Sequence, residues 1–194
     1  IGETIVDEYI FGKALGKSGK DPILAFQYQT TETYAGGVLA IANHLSDFIS
    51  SAGILTVLGA EKSRFEFVQQ SLKKNVQMYQ VSQKAVPTIH KKRFLDSHSG
   101  NKQFELYEMV DRPVDQDTED KIIEMIEEHA PKFDVTIIAD YGHGLMTSKI
   151  IRAATDHSNF LAVNTQANAG NHGFNTLSRI RVQIMSQCWQ GVRT

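Results

Sequence analysis

Four short segments of the chain carry residue types that could handle a ligand. In Gly2-Glu3-Thr4-Ile5-Val6-Asp7-Glu8-Tyr9, the carboxylate of Asp7 comes just past an apolar, strand-like stretch. A carboxylate there can accept hydrogen bonds from hydroxyl groups; it can equally cap a turn, where Asp is common. Gly36 and Gly37 precede a stretch of helical periodicity. Two glycines let a ligand approach the backbone, with the N–H groups of the following helix pointing at it; a plain strand-to-helix turn has the same signature. Ala139-Asp140-Tyr141-Gly142-His143-Gly144-Leu145 is more specific. Asp140 ends a strand and two glycines keep the loop low, so this carboxylate can face a phosphate or the metal ion that accompanies one. Asn164-Thr165-Gln166-Ala167-Asn168-Ala169-Gly170-Asn171 brings four amides to another strand end. They can bind a polar ligand or their own backbone.

Other reactive residues lead less far. His143 has no second ligand at useful spacing and reads as a loop histidine, and no cysteine–histidine pattern suggests a metal site. Lys13, Lys17 and Lys20, with Lys91, Lys92 and Arg93, could steer an anionic substrate or form a solvated face. The chain contains no P-loop, no GxGxxG and no GxSxG.

The elements that must position these residues follow from periodicity. Ile1–Val6 reads as the end of a strand, and Tyr9–Lys20, with Gly12, Gly16 and Gly19, as a loop. Ile23–Tyr28 reads as a short strand, Val38–Ser50 as a helix, Ile54–Leu58 as a buried strand and Arg64–Asn75 as a helix. Thr88–Leu95 and Gln103–Met109 form a hairpin around Ser97–Asn101. An amphipathic helix over Asp117–His129, a strand over Val135–Ala139, a helix over Ser148–Thr155 and a strand over Phe160–Val163 complete the pattern. Buried strands alternating with helices specify a parallel α/β sheet, whose ligands bind at the carboxyl ends of its strands. The pieces at 23–28 and 88–109 break that rhythm and read as an antiparallel appendage.

Composition narrows the partners. With 41% hydrophobic and 22% charged residues the chain can bury an ordinary core. Twenty basic residues against 22 acidic ones, a net charge of -2, give no reason to expect nucleic acid or an anionic membrane as partner. No apolar run approaches the ~20 residues of a membrane helix. The N-terminus does not read as a signal peptide, and the single Cys188 allows no internal disulfide, which fits a reducing compartment such as the cytoplasm.

Taken in order, GETIVDEYIFG, KDPILAF, AGGVLAIANHLSDF, VPTIHKKRFLD and VTIIADYGHGLMT resemble the PfkB-type, ribokinase-like sugar kinases. The likeness is greatest to the heptose-7-phosphate kinase domain of ADP-heptose synthesis enzymes, including those fused to a nucleotidylyltransferase. It runs over residues 1–179; residues 180–194 form a tail that does not resemble the family.

The resemblance implies a three-layer α/β/α sandwich with a small β lid, formed by segments near 10–35 and 87–110, with the C-terminal part of the fold outside this chain. It implies that Asp7, Gly36 and Gly37 hold the sugar, and that Asp140, Asn164 and Gln166 lie near the nucleotide and its phosphates. It implies ATP with magnesium, a sugar phosphate such as heptose 7-phosphate as substrate, and a homodimer through the lid. The family's diglycine motif continues to an Asn where this chain has Ala40. Its Asn-x-x-Glu motif and its GxGD segment, which carries the base, do not occur here. The expectation is therefore a chain with no catalytic base, inactive as a kinase by itself, or a non-catalytic module that binds sugar phosphate or dimerises.

Overall fold

The computed structural model describes residues 1–19 and 21–166, so Lys20, the Asn-rich stretch beyond Gln166 and the tail 180–194 lie outside the described residues. Among the described residues there are eight strands: β1 (Thr4–Lys17), β2 (Leu24–Gly37), β3 (Ala52–Glu61), β4 (Val76–Pro87), β5 (Ile89–Asp96), β6 (Lys102–Glu108), β7 (Thr136–Asp140) and β8 (Leu161–Thr165). Four α-helices accompany them: α1 (Val38–Leu45), α2 (Phe65–Ser71), α3 (Gln116–His129) and α4 (Ser148–His157).

The core is a parallel sheet. β3 pairs with β4 and β7 with β8, both parallel. Residues 1–3 fill the space between the two pairs. Gly2 N–H donates to Leu55 O at 3.2 Å, Ala139 N–H donates to Ile1 O at 2.8 Å, and Gly2 forms a parallel bridge with Ala139. The resulting order is β4, β3, residues 1–3, β7, β8.

Helices cover both faces of this sheet, because side chains of one strand alternate between them. On one face Val38, Leu39 and Ala42 of α1 and Val68 of α2 pack on Ile54 and Leu58. On the other, Ile122 and Ile126 of α3 and Ile150 and Ala154 of α4 pack on Leu55, Val81 and Ile138. Asp115 and Thr147 cap α3 and α4, accepting hydrogen bonds from Thr118 N–H at 2.8 Å and Ile150 N–H at 3.3 Å.

A second sheet, in the order β2-β1-β5-β6, stands on the carboxyl ends of the core strands. Its two middle strands run parallel and its outer strands antiparallel to them. Both middle strands continue out of the core: β1 extends residues 1–3, and β5 extends β4 through Pro87 and Thr88. This is the lid.

The lid is larger than local patterning suggests. Tyr9–Lys17, expected as a loop, is strand, because β-bulges at Phe11/Gly12 and Ala14/Gly16 absorb the glycines without ending the pairing. The lid strands begin at Thr4 rather than near residue 10, so Asp7 sits within β1 and not in a turn after it. β2 spans 14 residues where a short strand over 23–28 was expected. The whole of β4 went unforeseen, and α1 and α2 each end earlier than their periodicity suggested.

Candidate functional site

Alternation along the lid strands gathers charged and aromatic side chains on the face turned toward the core. Tyr34, Asp7, Lys91 and Tyr107 are direct neighbours across all four strands. Two residues further along, Glu32, Tyr9, Arg93 and Glu105 make a second such row. The first row holds the cross-strand register that puts a carboxylate and an ammonium between two phenols.

Asp7 is fixed on both sides. The Arg93 guanidinium donates to its Oδ1. Arg93 also lies 3.3 Å from Glu105 Oε1 and 5.4 Å from the centre of the Tyr9 ring. Gly36, buried in β2, backs onto Asp7 Oδ2 so closely that a Cβ there would overlap it. Gly37 has φ +59°, a conformation that favours glycine, and it turns the chain from the lid into α1. Val38 N–H then donates to Glu3 O at 2.9 Å.

Below the lid lies the loop after β7. Asp140 ends that strand, is buried, and accepts a hydrogen bond from Gly142 N–H at 2.8 Å. Glu3, which sequence reasoning did not single out, shapes the same loop. Its carboxylate accepts Tyr141 N–H at 3.0 Å and His143 N–H at 3.2 Å. Burial pushes the Glu3 carboxyl up to about 7; the Asp140 charge adds to the rise and the two backbone N–H groups oppose it.

Asn164 lies in β8 rather than in a loop, exposed beside Ala139, and Gln166 N–H donates to Asp140 O at 2.9 Å. Asp7 and Gly36 thus lie in the lid and Asp140 at the start of the loop after β7, while Asn164 and Gln166 lie one strand beyond Asp140.

Lys91 joins lid to loop. Its ammonium lies 2.9 Å from His143 Nε2 and 5.5 Å from the centre of the Tyr107 ring. His143 Nδ1 lies 3.3 Å from Asp111 Oδ1. Burial holds the Lys91 pKa below its ordinary value, with Asp7 opposing. Burial and then the Lys91 charge hold the His143 pKa below its own ordinary value. Lys91, Lys92 and Arg93 are half-buried and engaged by neighbours, so the solvated-face reading does not apply to them; Lys13 and Lys17 are exposed.

Among the described residues no three Asp, Glu, His or Cys side chains converge into a metal cage. Asp140 suits a magnesium ion of the kind held by one or two carboxylates together with substrate phosphates. An apolar cavity of about 140 Å³ lies between α1 and the core strands β3 and β7, where Ile41, Leu45, Val135 and Ile137 line it.

No family model matches the sequence. The structure superposes on phosphofructokinase-2 from Escherichia coli in complex with fructose-6-phosphate, with a TM-score of 0.64 at 14% identity, over 86% of this chain and 54% of that one. The fold is ribokinase-like. The tetrameric inhibited form of phosphofructokinase-2 from the same organism superposes at a TM-score of 0.59 and 14% identity, over 85% of this chain and 53% of that one. In sequence the chain is similar to the bifunctional protein HldE of Nitratiruptor sp., 25% identical over 158 residues, 81% of this chain and 34% of that protein. The bifunctional protein HldE of Bradyrhizobium sp. is 23% identical over 158 residues, 80% of this chain and 32% of that protein. The chain spans about a third of the length of the curated relatives it matches and about half that of the solved kinases.

Proposed function

We propose that this chain carries the sugar-phosphate half of an ATP-dependent sugar kinase site, the whole enzyme transferring the γ-phosphate of ATP to a hydroxyl of a phosphorylated sugar such as heptose 7-phosphate. The observation that carries this reading is the row Tyr34–Asp7–Lys91–Tyr107, facing the Asp140–Gly144 loop at the carboxyl ends of a parallel sheet. Asp7 accepts hydroxyl hydrogen bonds, held in one orientation by Arg93 and Gly36. The tyrosines supply flat surfaces for the C–H faces of a sugar ring.

Gly37 turns the chain so that α1 starts beside Glu3 and Asp7. Asp140 would be the residue to hold magnesium, and Asn164 and Gln166 would lie beside the nucleotide. Bound magnesium neutralises charge on the phosphates. An ATP-dependent sugar kinase fits a cytoplasmic location. Among the described residues no helix is long and apolar enough to cross a membrane.

The GxGD segment that carries the base in the kinases this chain resembles does not occur in the sequence, and the chain alone is expected to turn over no ATP. Incubation with ATP, magnesium and heptose 7-phosphate, followed by assay for ADP, tests this: ADP above the protein-free control overturns it.

A second reading, a dimerisation module, draws on the outer face of the lid. There Phe94 and Phe104 stack with centroids 4.1 Å apart, Phe26 meets both edge-on, and Leu24 and Leu106 are exposed. Light scattering that reports only monomer across a tenfold concentration range removes this reading and leaves the first intact.

A further inference from the structure

We infer that Glu3 is the positioning residue that holds the two sides of the site in one register: its carboxylate is the built-in anion of the loop after β7, and its main-chain carbonyl seats the diglycine turn. This role rests on the sugar-site reading and deepens it, because it names a residue away from the ligand on which the geometry of that site depends.

Glu3 is the last residue before β1, at the carboxyl end of the segment that runs between β3 and β7, and it is 4% exposed. A carboxyl group removed from water needs donors. Tyr141 N–H donates to its Oε2 at 3.0 Å and His143 N–H to its Oε1 at 3.2 Å. Between them Gly142 N–H donates to Asp140 Oδ1 at 2.8 Å. Three consecutive N–H groups thus turn onto two carboxylates, in a loop with Gly142 at φ +78° and Gly144 at φ +93°. Consecutive N–H groups in a turn make an anion-binding concavity. Glu3 fills this one from within the chain, and the loop conformation it holds is the one that brings Gly142 N–H onto Asp140.

The other end of the same residue reaches the sugar side. Glu3 O accepts Val38 N–H at 2.9 Å, at the start of α1, and a Cβ on Gly37 would overlap that oxygen. The loop also reaches the lid through His143, whose Nε2 lies 2.9 Å from the ammonium of Lys91, the cross-strand neighbour of Asp7. Releasing the Glu3 carboxylate therefore loosens Asp140 at one end of the loop and the surroundings of Asp7 at the other. Both carboxylate oxygens accept. An amide of the same shape can satisfy one N–H and sets its own NH2 against the second.

The test follows the Tyr141 and His143 amides by hydrogen exchange and heptose 7-phosphate affinity by calorimetry. In Glu3→Ala both amides should exchange about tenfold faster or more, and affinity should fall by about tenfold. Formate supplies the missing carboxylate, and a cavity of about 40 Å³ lined by Glu3, Gln83, Thr88 and His143 gives it room. Added formate should restore both readouts in Glu3→Ala and change neither in the wild type. Glu3→Gln should release one of the two amides and lose part of the affinity; where Glu3→Ala does not fold, this variant carries the test. Thr4→Val is the structural control. Thr4 is buried next to Glu3 in the chain and its Oγ1 lies 2.9 Å from Thr56 Oγ1, so the variant should melt lower with both amides and the affinity unchanged.

Exchange at Tyr141 and His143 that is unchanged in the Glu3 variants overturns the inference while the sugar site stands. An affinity loss of the same size in Thr4→Val also overturns it, because the effect is then one of stability alone. Released amides that formate restores, with no heptose 7-phosphate bound by the wild type, keep Glu3 as the holder of the loop and discard the sugar reading.

Discussion

Arg93 reaches back from the second cross-strand row of the lid to pair with Asp7 in the first, so the carboxylate that faces the core is held from its own sheet. Both side chains are about one-fifth exposed, and Gly36 closes the other side of Asp7. The arrangement fixes a hydrogen-bond acceptor before any ligand arrives, and its consequences can be measured.

Arg93→Met should leave Asp7 unpaired and free to rotate. Affinity for a sugar phosphate falls by about tenfold, and the folded state loses on the order of 1 kcal/mol. A double-mutant cycle with Asp7→Asn, read by calorimetry and thermal unfolding, checks that the two losses are coupled.

Gly36→Ala and Gly37→Ala should separate binding from stability. A Cβ at Gly36 overlaps a carboxylate oxygen, so the variant displaces Asp7, folds, and loses ligand affinity. A Cβ at Gly37 meets the Glu3 backbone carbonyl in a residue at φ +59°, and destabilises by about 1–3 kcal/mol. Thermal unfolding beside calorimetry distinguishes the two; equal melting losses contradict the assignment.

Glu3 makes stability depend on pH. Its folded-state pKa of about 7 stands above its ordinary 4.5, because burial favours the neutral form. The folded state therefore binds the proton more tightly than the unfolded state. The stability Glu3 contributes is fully present below pH 4.5 and is lost as pH rises through about 7. The difference is about 3 kcal/mol. Glu3→Gln should flatten the fall in denaturant midpoint between those pH values; a slope unchanged in the variant contradicts it.

Asp115→Ala serves as a contrast. Its carboxylate accepts Thr118 N–H at the start of α3, outside the site, so its loss costs about 1 kcal/mol of stability and leaves ligand affinity unchanged. A change in affinity would show that α3 and the site are coupled.

How much of this was legible in the sequence depended on whether the signal was local. The strand ending at Asp140 and the helices α3 and α4 were plain, because apolar runs and helical periodicity are local. Residue type and the diglycine pointed at Asp7, Gly36 and Gly37. The position of Asp7 within a long strand was hidden by Gly12 and Gly16, which mark bulges here and turns elsewhere. Strand β4 mixes Gln77, Gln80, Gln83 and Lys84 among its apolar residues, which blurs the alternation. The roles of Glu3 and Arg93 were illegible because each depends on a partner far along the chain: the 141–143 backbone for one, Asp7 for the other. The Asn-rich stretch beyond Gln166 and the tail 180–194 lie outside the described residues and stay as the sequence left them.

The most direct measurement is calorimetric titration of heptose 7-phosphate into the wild-type chain and into Asp7→Ala. The expected result is saturable binding by the wild type that is lost in Asp7→Ala, with both proteins folded at the temperature of the titration and the variant melting only slightly lower, as loss of the Arg93 pair requires. Absence of binding to the wild type, or equal binding by the variant, would contradict the sugar-phosphate site.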